Sequence, residues 1–129
     1  MDAFEVVAGA GTLRSPAADS AHFPHRFSAE GVTVETAFSG AHLLHLAVAG
    51  CVLNDVYREA ESLGIVVLGV RVSASGAFDP ETWHSSGIGY AVELDTSATA
   101  DEIEALLRRV DSVAEIPRAI RAGARVTRS

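Results

Sequence analysis

The chain has 129 residues, 48% hydrophobic and 21% charged, which is enough apolar material for one domain with a buried core. Its formal charge of -7 argues against nucleic acid and against an anionic membrane surface as partners. A single cysteine excludes an internal disulfide framework and points to a reducing, cytoplasmic setting.

The first five residues, Met1 to Glu5, show no basic region leading into an apolar run, so no signal peptide is expected. The chain then opens with β signals. Residues 4–8 form a short apolar run, and the Gly9-Ala10-Gly11 punctuation predicts a tight hairpin into residues 12–14. Residues 15–20 read as a loop. Residues 22–28 suit a strand that Pro24 confines to a sheet edge, and residues 31–36 alternate as a further strand.

A long helix follows, from Ser39 as N-cap to Gly64 as the left-handed C-terminal residue. Unbroken, it would be roughly 36 Å long. Its first half is apolar on nearly every side (Leu43, Leu44, Leu46, Ala47, Val48, Ala49), so it needs burial on nearly every side. The apolar run is too short to span a membrane, and His45 and Gly50 interrupt it. Gly50 either admits a close neighbour or breaks the helix. A break would make Cys51 the start of a new helix and give its sulfur amides that favour the thiolate.

Residues 65–76 alternate as the strongest strand, with Val66, Leu68, Val70 and Val72 on one face. Residues 78–87 form a polar hairpin connection carrying Trp83 and His84. Residues 88–95 return with Ile88, Tyr90, Val92 and Leu94 on one face. Thr99 and Glu102 have capping-box spacing and open a helix to about Val110 with an Ile103, Leu106, Leu107, Val110 stripe. The helix is expected to break near Asp111-Ser112. Pro117 suits the first turn of a last short helix ending at Gly123, and residues 125–127 are expected to close as a strand. Strands and helices are segregated, so the class is α+β in one domain over residues 1–129. The all-round apolar helix predicts a homodimer whose partner covers its remaining side.

The run Ala41-His-Leu-Leu-His-Leu-Ala-Val-Ala-Gly-Cys51, followed by an amphipathic half-helix, Gly64, a hairpin and two helices, resembles the OsmC/Ohr family of hydroperoxide reductases. The likeness covers about residues 30–127 and is firmest over 39–95. It implies an OsmC-like fold: an intertwined homodimer with β-sheets wrapped around long central helices. It further implies a thiol peroxidase in oxidative-stress defence, with one cysteine attacking the peroxide and a second resolving the sulfenic acid. Cys51 stands at the first position, whereas Ala114 occupies the place of the second. Ala41 stands where many members carry a glutamate. The family's thiolate-binding arginine corresponds to Arg14, with Arg26 as the alternative.

Two readings follow. In one, Cys51 and Arg14 or Arg26 reduce a small organic hydroperoxide, and an external thiol reductant replaces the resolving cysteine. In the other, the fold is non-catalytic and binds an apolar or acyl ligand at the dimer interface, with Cys51 as packing. No cofactor is expected and no metal. His42 and His45, three apart on the helix, and His22 and His25 are conceivable ligands, yet no carboxylate is placed to support them. His45 reads more simply as a core residue, Trp83 as a sheet-edge cap. The arginines at 108, 109, 118, 121, 125 and 128 read as a solvated face paired with neighbouring acids. Asp55, one turn beyond Cys51, opposes ionisation of the thiol, and Arg58, two turns on, is placed either to neutralise Asp55 or to reach the thiolate.

Overall fold

A computed structural model describes residues 3–129; Met1 and Asp2, part of the amino-terminal reading above, lie outside them. The elements are β1 (Phe4–Gly11), β2 (Ala21–Phe23), β3 (Val32–Glu35), α1 (Gly40–Leu63), β4 (Gly69–Phe78), β5 (Ser85–Asp95), α2 (Ala100–Val113) and α3 (Glu115–Ala122). The strands make one antiparallel sheet in the order β2-β3-β1-β4-β5. The class is α+β, as the segregation of elements predicts.

Period-two alternation sets the inner face of the sheet. Val6, Ala8 and Ala10 of β1 lie opposite Ala74, Val72 and Val70 of β4, and all six are buried. Onto them pack Val48, Ala49, Val52, Leu53, Val56 and Ala60 of α1. Leu106 and Val110 of α2 complete the core. On β5, Ile88, Tyr90, Val92 and Leu94 share the inward face as expected and are partly buried.

The helix ends form as the sequence dictates. Ser39 Oγ accepts from the His42 N–H at 3.1 Å, and Gly64 takes a φ of 70° with its N–H on Glu61 O. The Thr99–Glu102 capping box is complete on both sides. Pro117 is buried in the first turn of α3, and Gly123 ends it.

Several boundaries differ from expectation. Gly9 does not turn the chain: β1 continues to Gly11, whose φ of 62° opens the turn instead. Residues 12–14 form no strand; they fold back over β1, and a Cβ at Gly9 would sit 2.4 Å from Leu13 O. β2 stops at Phe23, because Pro24 has no N–H to continue the ladder. β4 begins at Gly69 rather than residue 65, since β1 ends opposite it at Gly11. Residues 65–68 therefore lack that pairing partner, and Val66 and Leu68 are exposed. α2 runs through Asp111 and Ser112 to Val113, where Asp111 is held by the Tyr90 hydroxyl (2.6 Å) and Arg121 (3.1 Å). Residues 125–127 are exposed and form no strand. Gly50 does not break α1, and a Cβ there would meet nothing within 4 Å among the described residues of this chain.

Candidate functional site

Cys51 sits half-buried in the middle of the unbroken α1 and opens onto a cavity of about 470 Å³. The helix contributes Ala47, Cys51, Asn54, Asp55 and Arg58 to its wall, the residues that helical periodicity turns away from the sheet. Arg26 and Phe27 enter from the β2–β3 connection, and Glu115 and Ile116 from the start of α3.

The β2–β3 connection is clamped onto α1 by side chains. His25 bridges Asn54 Oδ1 (2.7 Å) and Ser28 Oγ (2.8 Å), and Phe27 stacks parallel to Tyr57. The Arg26 guanidinium lies 5.4 Å from the Phe27 ring centroid. Arg26, the alternative in the sequence reading, thus shares the cavity with Cys51. Arg14 does not line it; this exposed side chain donates to Gly11 O at 3.0 Å beside the β1 turn. The His25–Asn54 and Phe27–Tyr57 clamp escapes sequence reasoning, because it joins stretches remote in the chain.

The other histidines have local partners. His22 Nε2 bonds Glu30 O, and His42 Nδ1 bonds Ser39 Oγ, both at 2.6 Å. His45 is fully buried against Phe4 and Phe78. Its Nδ1 donates to Ala41 O, and its Nε2 has no partner among the described residues, so it is a core histidine satisfied there on one side only. Among the described residues, no group of three or more histidine, cysteine, aspartate or glutamate side chains is arranged to hold a metal. Trp83 lies exposed in the hairpin connection with a φ of 61°.

Burial pushes the Cys51 thiol above its ordinary pKa, and the Asp55 and Glu115 carboxylates add to the shift. The backbone amides of Ile116 and Glu115 pull the other way. These amides face the sulfur because Ala114, the N-cap of α3, carries no side-chain acceptor to occupy them. Cys51 thus meets a helix N-terminus, but that of α3 rather than a new helix begun at Gly50. Ala114, at the place of the family's second cysteine, is itself fully buried.

Asp55 and Glu59 are the two buried carboxylates of α1. Asp55 Oδ1 pairs with Arg58 at 3.2 Å, while Oδ2 is buried without a partner among the described residues. Burial raises the Asp55 pKa and the Glu115 and Glu59 charges raise it further, against the opposing pull of Arg58. Arg58 also contacts Glu59 at 3.1 Å and Glu115 at 3.6 Å, so one guanidinium serves three acids. Glu59 has a second cation, Arg109 of α2. Burial alone would raise the Glu59 carboxyl, but hydrogen bonds from Arg109 and Arg58 outweigh it and hold the group below the ordinary range.

Comparison with known proteins agrees with this architecture. The family model described as OsmC-like protein matches residues 33–129, and the chain belongs to that family. An OsmC-like protein from Mycoplasma pneumoniae superposes with a TM-score of 0.62 at 12% identity, covering 83% of this chain and 89% of that one. An OsmC-like hydroperoxide resistance protein from a Jannaschia species gives 0.52 at 12% identity, covering 98% and 91%. No match to the chain was found among curated proteins. Among the described residues no helix is long and apolar enough to cross a membrane.

Proposed function

We propose that this chain is a cytoplasmic one-cysteine thiol peroxidase that reduces organic hydroperoxides through Cys51. The observation that carries the reading is the meeting of Cys51, Arg26 and the uncapped start of α3 in one open cavity. Arg26 takes the role of holding the thiolate and the departing oxygen, since Arg14 lies outside the cavity. Sulfur attacks the terminal peroxide oxygen, the O–O bond breaks, and Cys51 becomes a sulfenic acid while an alcohol leaves. Two equivalents of an external thiol then return Cys51 to the thiol, releasing water and a disulfide. The hydroperoxide resistance protein from Jannaschia has the same fold, which is consistent with this chemistry.

The active unit in this reading is a homodimer. Leu43 and Ala47 are exposed on α1, and Gly50 leaves open space on the helix, a surface suited to a second copy that closes the cavity. Light scattering at micromolar concentration is expected to give twice the chain mass; a clean monomer rejects the dimer.

A second reading has its own support. The raised thiol pKa and Ala114 at the resolving position suit a non-catalytic OsmC-like protein that binds a small apolar or acyl ligand beside an inert Cys51. Intact-mass spectrometry after brief exposure to stoichiometric cumene hydroperoxide, with hydrogen peroxide in parallel, separates the two. Addition of one oxygen, selective for the alkyl peroxide and lost in Cys51→Ser, supports the peroxidase. An unmodified wild-type protein rejects it and leaves the binding reading.

A further inference from the structure

Peroxidase chemistry leaves Cys51 as a sulfenic acid that this chain has no second thiol to reduce. Cys51 is the single cysteine, and Ala114, at the resolving position, is fully buried. The thiol that reduces it must reach the sulfur through the same cavity of about 470 Å³, a volume that fits a small molecule. Charge on the cavity wall is unevenly matched. Arg58 lies 3.2 Å from Asp55 and 3.6 Å from Glu115, so both acids of the wall already have a cation. Arg26, on the opposite segment, has no ion-pair partner among the described residues. Asn54 accepts from His25 with its Oδ1 at 2.7 Å, which leaves its amide N–H groups without a partner among the described residues. The unmatched cation is also held in place. Its two chain neighbours are fixed to α1, His25 through Asn54 and Phe27 through the stack on Tyr57, and its guanidinium lies 5.4 Å from the Phe27 ring centroid. Less freedom is then lost when an anion binds it.

We propose that the external thiol is a small molecule bearing a carboxylate, which Arg26 and Asn54 receive while its sulfur meets Cys51. This assignment rests on the peroxidase reading above and names the chemical class of its reductant. Arg26 is available at this step because the sulfenic acid is neutral, and the thiolate and the departing oxygen are both gone. The sulfur of the first RSH attacks the sulfur of Cys–SOH. The S–S bond forms, the S–O bond breaks, and the hydroxide takes the thiol proton and leaves as water. A second RSH attacks the R-bearing sulfur of Cys–S–S–R, so RSSR is released and the proton of that thiol passes to the Cys51 sulfur. Cys51 is reduced by two electrons, two thiols are oxidised by one each, and no other reactant enters. A guanidinium and an amide present N–H donors that a carboxylate accepts with charge assistance, whereas an uncharged thiol leaves Arg26 unmatched.

The test compares thiols of similar size and different charge on the full chain. Cys51 is first converted to the sulfenic acid with stoichiometric cumene hydroperoxide, and formation of the mixed disulfide is then followed by intact-mass spectrometry. With rates referred to thiolate concentration, 3-mercaptopropionate should react roughly fivefold faster than 2-mercaptoethanol, the scale of one solvent-exposed ion pair. The advantage should shrink as salt rises, because Arg26 is exposed. It should vanish in Arg26→Gln and return in part in Arg26→Lys, which keeps the charge. Alkylation of the reduced protein gives the same comparison without peroxide: the rate ratio of iodoacetate to iodoacetamide should fall about fivefold in Arg26→Gln. Each comparison is a ratio on one sulfur, so a change in its thiolate fraction cancels. Equal mixed-disulfide rates for the two thiols in wild type, or ratios that Arg26→Gln leaves unchanged, overturn the assignment and leave the peroxidase reading standing. A wild-type Cys51 that alkylates normally yet never oxidises removes the peroxidase reading and this assignment with it.

Discussion

Two carboxylates one turn apart on α1 are treated in opposite ways. Glu59 faces α2 and is neutralised by both Arg58 and Arg109, with its pKa held down. Asp55 lines the cavity, shares Arg58 with two other acids, keeps one oxygen unpartnered among the described residues, and has its pKa pushed up. The two are nearly equally buried, so partners rather than burial set their character. Glu59 is a fastener between helices. Asp55 is left with a single shared cation.

The largest effect that tests this contrast comes from Glu59→Ala. It removes a buried acid that two half-exposed arginines converge on, and should lower unfolding free energy by about 2 kcal/mol at neutral pH, after allowance for solvent around the arginines. Urea denaturation measures it, and an unchanged midpoint would erase the difference between the two acids. Acid titration gives the next test. Because the folded pKa of Glu59 lies below its unfolded value, its contribution is full above the unfolded value and lost as pH falls through the folded one. Acidification should therefore destabilise wild type more steeply than Glu59→Gln over that window. The smallest effect is expected at Asp55. Its raised pKa means that stability falls as pH rises from the ordinary aspartate value through the folded value, so Asp55→Asn should be at least as stable as wild type at neutral pH. A loss above about 1 kcal/mol would instead make the Arg58 pair structural.

Away from this contrast, Gly76→Ala probes the core. Its Cβ would lie 2.4 Å from Gly87 O and 2.5 Å from His45 Nε2, so a loss of about 1–3 kcal/mol is expected, read as a lower midpoint.

Local signals carried α1 and α2 well, because caps are written in consecutive residues: Ser39 and Gly64, Thr99 and Glu102. Errors arose where a long-range partner decides. Nothing near residue 65 states that β1 ends opposite Gly69, and nothing near Asp111 reveals Tyr90 and Arg121. The site divides along the same line. Asp55 and Arg58 were visible at helical spacing from Cys51, whereas its neighbours from α3 and from the β2–β3 connection come from remote stretches. Between the two arginines the sequence favours Arg14, whereas the His25–Asn54 clamp holds the segment that carries Arg26 over the helix.

The order of strands has a consequence for how the molecule assembles. β1 is nearly first in the chain and central in the sheet, between β3 and β4, and Val6 meets Ala74 only after the whole of α1 has been made. The sheet thus closes through contacts distant in sequence, which are slow to form. Until β4 arrives, the apolar side of α1 has only part of its eventual cover. During synthesis, this is the interval in which the chain is most exposed to aggregation, and its length is set by the translation of β4 rather than by any property of the cavity.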